Sequence, residues 1–178
     1  MLAHALLVLL FPLLCFAAPT SATISGTALL TGKALEVSPG KIGTVMVFLS
    51  SNCPCSNSHV PLLKKVAEDF KDFSFVAVHS NSDEPLEKSK PYFKAAQLPF
   101  PVLQDHNAKL ADEYRALKTP HVFVLSPAGK VLYRGGVTSS ATAAPTDTQF
   151  LREALSDITE GKPLRRSEGR TLGCVIAR

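Results

Sequence analysis

The sequence has no dense basic stripe, no visible internal repeat and no apolar run long enough to cross a membrane comfortably. Nineteen Lys and Arg against fifteen Asp and Glu leave a formal charge of +4. The one basic cluster, Arg165, Arg166 and Arg170, lies near the end of the chain. It is too sparse to track a phosphate backbone, so nucleic acid is not an expected partner. The 178 residues suffice for one domain with a sizeable core. Leu2 to Phe16 is apolar except for His4 and Pro12, but a bilayer span needs about 20 such residues.

Basic residues are missing ahead of that run, and the small residues of AAPTSA follow it. An apolar stretch running into small residues is the pattern of a secretory signal peptide. It is assigned to residues 1–22, with cleavage after Ala17, Ala18 or Ala22. Cys15 raises the alternative of a lipid-anchored N-terminus, but Leu14 precedes it where Gly or Ala is expected; an uncleaved anchor is the other alternative. The expected protein is exported, periplasmic or extracellular, with no stable membrane association after cleavage.

Cysteine is scarce. Loss of Cys15 would leave Cys53, Cys55 and Cys174. Export favours disulfides, and an odd count leaves one thiol to react or to pair elsewhere.

Residues 23–37 read as one or two short strands turning at Thr31–Lys33. Thr44 to Ser50, TVMVFLS, is short, apolar and β-branched, the pattern of a buried strand. A helix is predicted from Ser56, because Val60, Leu63, Val66, Ala67 and Phe70 follow the helical period. FSFVAVH, residues 73–79, is a second buried strand, and NSDEP leads into a helix to about Gln97 that the prolines of LPFP end. Val102-Leu103 is extended, Ala108–Leu117 helical, His121–Ser126 a strand, and Val131–Gly135 its antiparallel return after the turn at Pro127–Lys130. A polar loop occupies 138–148, a last helix runs from Thr148 to near Gly161, and the segment after Pro163 has no clear pattern. Alternating strands and helices imply a three-layer α/β domain, a mixed central sheet with helices on both faces. It is assigned to residues 23–163, and a tail, 164–178, carries Cys174.

Residues 51–61 read SNCPCSNSHVP and lie where the first central strand gives way to a helix. Open α/β sheets place their chemistry at that edge. A thiol at a helix start is made more acidic by free N–H groups and the positive dipole end, and the thiolate is the nucleophile. The alternative is a buried or bridged structural cysteine.

The strand TVMVFLS, then CPCS, then a helix containing Pro61, and later Thr119-Pro120 before a strand and hairpin, together resemble the thioredoxin superfamily. HSNSDE, TPHVFVLSPAGKVLYRGG and the late TLGCVIAR narrow the likeness to exported redoxins of the AhpC/TSA type. The resemblance spans roughly residues 30–178. It implies a thioredoxin-like fold and a thiol–disulfide oxidoreductase that exchanges disulfides with a partner protein, with no cofactor and no metal. By position relative to Pro61, it places Cys53 at the nucleophile and Ser56 at the usual resolving position, so CPCS has lost the ordinary resolving thiol. It implies Pro120 in cis, with the Thr119 backbone free to pair with an extended substrate; Pro54 lies between the two cysteines of the same loop. Ser56 is expected to hydrogen-bond the thiolate. The late glycine-cysteine pair favours a Cys53–Cys174 bridge, reached by a flexible tail. Cys55–Cys174 and Cys53–Cys55 remain open, the last a tight and strained ring.

Three other readings stay open. A peroxiredoxin-like peroxidase would use the pattern PxxxTxxC; here Met46 replaces its proline, Ser50 its threonine, and only Arg115 or Arg134 could supply an arginine. A copper-binding thioredoxin-like protein would use Cys53, Cys55 and His59, a set that suits Cu(I) or Zn, with His121 as a distant candidate. A catalytically degenerate module would use its disulfide only to hold the tail and would bind a partner along the Thr119-Pro120 edge. His79 and His106 are expected to be structural, and His59 solvated.

Overall fold

The structure is a computed structural model that describes residues 22–178. Cys15 and all of the expected signal peptide except Ala22 lie outside that span.

Strands β1 (Ile24–Ala28) and β2 (Ala34–Val37) form the opening hairpin. β3 (Gly43–Phe48) leads through α1 (Pro54–Asp69) to β4 (Phe73–His79), which runs parallel to it. α2 (Leu86–Ala96) leads to β5 (Val102–Gln104), parallel to β4. A single turn at His106–Ala108 precedes α3 (Lys109–Glu113) and the short β6 (Lys118–Thr119). β7 (His121–Leu125) returns antiparallel to β3, and β8 (Val131–Gly135) pairs with β7. α4 (Phe150–Thr159) and β9 (Cys174–Val175) complete the chain. The main sheet has seven strands in the order β2-β1-β5-β4-β3-β7-β8, and β6 with β9 forms a separate pair. This is the mixed, three-layer α/β architecture that the alternation of strands and helices predicts.

β3 is buried along its whole length because both faces of the sheet are covered. Val45, Val47 and Leu49 face one layer, with Leu63 and Val66 of α1, Phe93 of α2, and Leu151 and Leu155 of α4. Met46 and Phe48 face the other, with Val76, Val78, Phe123, Ala111 of α3 and Ile176 of the tail. The period of two along the strand divides its side chains between two cores.

Three local features differ from expectation. α1 begins at Pro54 rather than Ser56, since proline suits the first helical position, where its missing N–H costs nothing. α3 stops at Glu113 rather than Leu117, because Arg115 takes a left-handed conformation, φ 54°, that turns the chain into β6. The tail is not loose: β9 fixes it against β6.

Candidate functional site

Cys53 lies just past the carboxyl end of β3 and is the N-cap of α1, with φ −87° and ψ 113°. Its carbonyl accepts from Asn57 N–H at 3.1 Å, which starts the helix. Pro54 contributes no N–H, so Ser56 N–H, one turn-step further on, is the helix-start donor that meets the sulfur. The Cys53 side chain is 1% exposed, and as a thiol it donates to the Thr119 carbonyl at 3.0 Å. The Thr119-Pro120 peptide is cis. The Thr119 hydroxyl is buried without another partner and is available to donate to a Cys53 thiolate.

The Thr119 backbone is not free, as the resemblance had implied. It pairs antiparallel with Cys174, and Lys118 pairs with Val175. The chain's own tail therefore occupies the edge where an extended substrate was expected. The approach is so close that a Cβ on Gly173 would lie 2.0 Å from the Thr119 carbonyl oxygen, so only glycine fits there. Beyond the cysteine, Ile176 is buried and its N–H donates to Leu117 O at 3.0 Å. The Ala177 carbonyl accepts from Ser82 N–H at 3.0 Å, and Arg178 reaches Asp112 at 2.5 Å and the Ala116 carbonyl at 2.7 Å. These anchors hold Cys174 over the α1 start. The sulfurs of Cys53, Cys55 and Cys174 all lie within 4.8 Å of one another.

Their acidities diverge. Burial pushes the Cys53 thiol up, but hydrogen bonds from the Cys174 thiol, the Thr119 hydroxyl, Ser56 N–H and Cys174 N–H outweigh it and bring Cys53 down to about 7. Cys174 is pushed up to about 12, by burial first and then by its hydrogen bond to Cys53 and the neighbouring negative charge. Cys55 is raised by burial and by the Cys53 charge. Near neutral pH, Cys53 is thus the sulfur that ionises, and Cys174 keeps its proton and donates it to Cys53.

Ser56 reaches Cys53 through its main-chain N–H; its hydroxyl oxygen accepts from Ser50 N–H at 3.2 Å, which ties the loop before the cysteine to the helix after it. Glu84 and Thr138 support the site from loops that carry no sequence signal. Glu84, 5% exposed, accepts from the Ser50 hydroxyl, from Ser51 N–H at 2.7 Å and from the Ser51 hydroxyl at 2.5 Å. His79 lies beside it, 3.9 Å from the carboxylate, held neutral by burial. His59 is not solvated: it is buried, with Nδ1 at 2.7 Å from the Cys55 carbonyl and Nε2 at 2.9 Å from the Thr138 hydroxyl. Nothing in the sequence flagged Glu84, which reads as a loop acid. The spacing of Cys55 and His59 is a signal that could have placed His59 against the helix start.

The alternative constellations are not assembled in this geometry. The Ser50 hydroxyl is engaged by Glu84, and Arg134 sits in an exposed pair with Glu168 at 2.7 Å. Both nitrogens of His59 are occupied, so it does not join Cys53 and Cys55 as a metal donor. His121 faces Leu117 N–H at 3.4 Å and is pushed down to about 4 by burial.

The chain is similar to several solved structures. An uncharacterized conserved protein from Geobacillus kaustophilus matches with 26% identity and a TM-score of 0.78, over 93% of this chain and 94% of that one. StoA from Bacillus subtilis matches with 20% identity and a TM-score of 0.57, over 77% of this chain and 98% of StoA. A secreted Mycobacterium tuberculosis disulfide oxidoreductase homologous to E. coli DsbE matches with 17% identity and a TM-score of 0.55, over 77% of this chain and 95% of that one. These likenesses establish a thioredoxin-like fold. No curated protein matches the sequence. The model of one family aligns with residues 30–134, from the turn after the first strand to the last strand in the chain of the main sheet, and on that match the chain belongs to the AhpC/TSA family.

Proposed function

We propose that the protein is an exported thiol–disulfide oxidoreductase whose nucleophile is Cys53 and whose resolving thiol is Cys174. The observation that carries this reading is the meeting of three sulfurs within 4.8 Å, with Cys53 alone drawn down to about 7. The Cys53 thiolate attacks one sulfur of a partner disulfide; a mixed disulfide forms and the partner's other sulfur leaves as a thiolate. With Cys53 no longer charged, Cys174 loses the hydrogen bond and the repulsion that add to burial in keeping it protonated. It attacks the Cys53 sulfur and expels the second partner thiolate, which takes up the Cys174 proton. The partner disulfide is reduced by two electrons and the Cys53–Cys174 pair is oxidised by two. The same steps run in reverse when the partner is a dithiol. Cys55 is the third sulfur, close enough to exchange with either.

The tail shapes access. β9 fills the strand position beside Thr119, so that edge is closed to an extended partner while Cys174 is docked beside Cys53. Thr119, Pro120 and Pro54 form that edge and the wall of the cysteine loop. Export rests on the apolar residues 2–16 and the small residues after them, and the similarity to a secreted disulfide oxidoreductase points the same way. On this reading residues 1–22 are removed, and 23–163 with the tail 164–178 form the mature protein.

The test is disulfide mapping of the mature protein by mass spectrometry after free thiols are alkylated. A Cys53–Cys174 bridge that mild reductant opens and oxidant re-forms is expected. A Cys55–Cys174 bridge with an inert Cys53 would make the cysteines a staple and sink the exchange cycle. Conversion of free Cys53 to a sulfenic acid by peroxide, with no bridge following, would replace the exchanger with a peroxidase.

A further inference from the structure

We propose that the reduced protein binds one soft monovalent cation, Cu(I), through the three sulfurs of Cys53, Cys55 and Cys174. The site goes beyond disulfide exchange and stands on geometry that exchange does not require. An exchange cycle needs two neighbouring sulfurs, and here a third lies within the same 4.8 Å. A planar three-sulfur site with metal–sulfur bonds of about 2.3 Å needs sulfurs about 4 Å apart. The three sulfurs, all within 4.8 Å of one another, are close to that spacing.

The donor set selects the ion. Thiolates favour soft ions such as Cu(I), and zinc adds a fourth ligand to complete a tetrahedron. The cluster contains no His, Asp or Glu among the described residues. His59, four residues along α1, is spent on the Cys55 carbonyl and the Thr138 hydroxyl. Three sulfurs and no fourth protein ligand fit a three-coordinate d10 ion better than zinc. Each ligand is held by a different rigid feature: the N-cap of α1, its first turn, and the pinned strand β9. Ser56 N–H, Cys174 N–H and the Thr119 hydroxyl already face the sulfur cluster and offset negative charge there. Cys53 is buried while Cys55 and Cys174 are half-buried, which leaves an entry side open to solvent. Binding is balanced by the release of thiol protons: three Cys–SH and Cu⁺ give the trithiolate complex and three H⁺.

The test uses the fully reduced chain, anaerobically, with Cu(I) supplied as its complex with a chromophoric chelator. The expected result is transfer of one ion per chain, with X-ray absorption at the copper edge showing three sulfur neighbours. Cys55→Ser and Cys174→Ser should each weaken retention by at least about 100-fold, since loss of an outer-shell partner alone costs about 10–100-fold. Two sulfur neighbours in the wild-type complex, or retention unchanged in Cys174→Ser, would overturn the three-sulfur site. So would failure to take copper from the chelator at all, or a zinc complex that outlasts the copper one in the same competition. The absorption measurement needs no variant to fold. All readouts are taken on the reduced protein, so a failed exchange cycle leaves this result intact, and a failed copper site leaves the exchange cycle intact.

Discussion

Replacing Gly173 with alanine should undock β9 and move the acidity of Cys53. The added Cβ would lie 2.0 Å from the Thr119 carbonyl oxygen, well inside contact distance and against backbone rather than a flexible side-chain tip. The tail has little free energy with which to absorb that collision. Burial of Ile176 contributes about 2–3 kcal/mol. The strand pairing and the Leu117, Ser82 and Arg178 contacts add about 1 kcal/mol each. Ordering residues 173–178 offsets much of that gain, so a steric cost of a few kcal/mol releases the tail. With β9 released, Cys53 loses two of the donors that bring it to about 7, the Cys174 thiol and the Cys174 N–H. The assay is the rate of Cys53 alkylation as a function of pH, with the alkylated site read by peptide mass spectrometry. The midpoint decides, not the absolute rate, because undocking also uncovers the sulfur and speeds attack. In the wild type the midpoint falls near 7, and in Gly173→Ala it moves toward the ordinary thiol value of 9. The body of the domain keeps its melting transition, since β9 contributes little to it. An unchanged midpoint, together with wild-type speed of Cys53–Cys174 bridge formation, would refute the claim that the docked tail sets the acidity of this site.

Thr119→Val removes a buried hydroxyl with no partner other than the Cys53 sulfur; stability should hold or rise, while the Cys53 midpoint moves upward, and the same alkylation profile checks it. Glu84→Ala strips acceptors from Ser50 and Ser51 and should cost about 2–4 kcal/mol in urea melts, with Glu84→Gln, which keeps one acceptor, losing roughly half of that. Acid should destabilise the protein between about 6.5 and about 4, because the unfolded chain binds a proton at His121 that the buried ring refuses; up to about 3 kcal/mol is at stake. His59 and His79, also lowered by burial, add in the same direction, and His121→Gln should flatten the His121 share of the slope in denaturant melts taken across that range.

The layers of the fold were legible because their signals are local and dense. TVMVFLS and FSFVAVH are apolar at nearly every position, which in an α/β chain means a strand covered on both faces. Cys53 was legible as a helix-start thiol because Pro54 and the periodic run after it mark the boundary. The end of α3 was misplaced for a physical reason. Tyr114 and Leu117 continue the helical period, and only the left-handed turn at Arg115, made by a residue with no preference for it, ends the helix. β9 was invisible because a strand of two residues has no periodicity to detect. Its position is set by the partner edge at Lys118-Thr119 and by the anchor at Ile176, both tertiary facts. Glu84 and Thr138 escaped for the same reason: each lies in a loop, and each acts on the site across a long stretch of sequence.

The pinned tail also ties the two proposed chemistries together. Oxidation of Cys53 and Cys174 joins two of the three sulfurs that would hold Cu(I), leaving Cys55 as a single donor. One sulfur does not hold a soft cation against competing thiols, so the disulfide form and the metal form exclude each other. By linkage, a cation that binds only the dithiol form stabilises it, and makes the Cys53–Cys174 bridge harder to form. The coupling passes through β9. A partner that displaces the strand removes Cys174 from both tasks at once, returning Cys53 toward an ordinary thiol and leaving two sulfurs of a C-x-C pair. On these two proposals, the position of one two-residue strand sets the acidity of Cys53, the availability of Cys174 to resolve it and the completeness of the three-sulfur site.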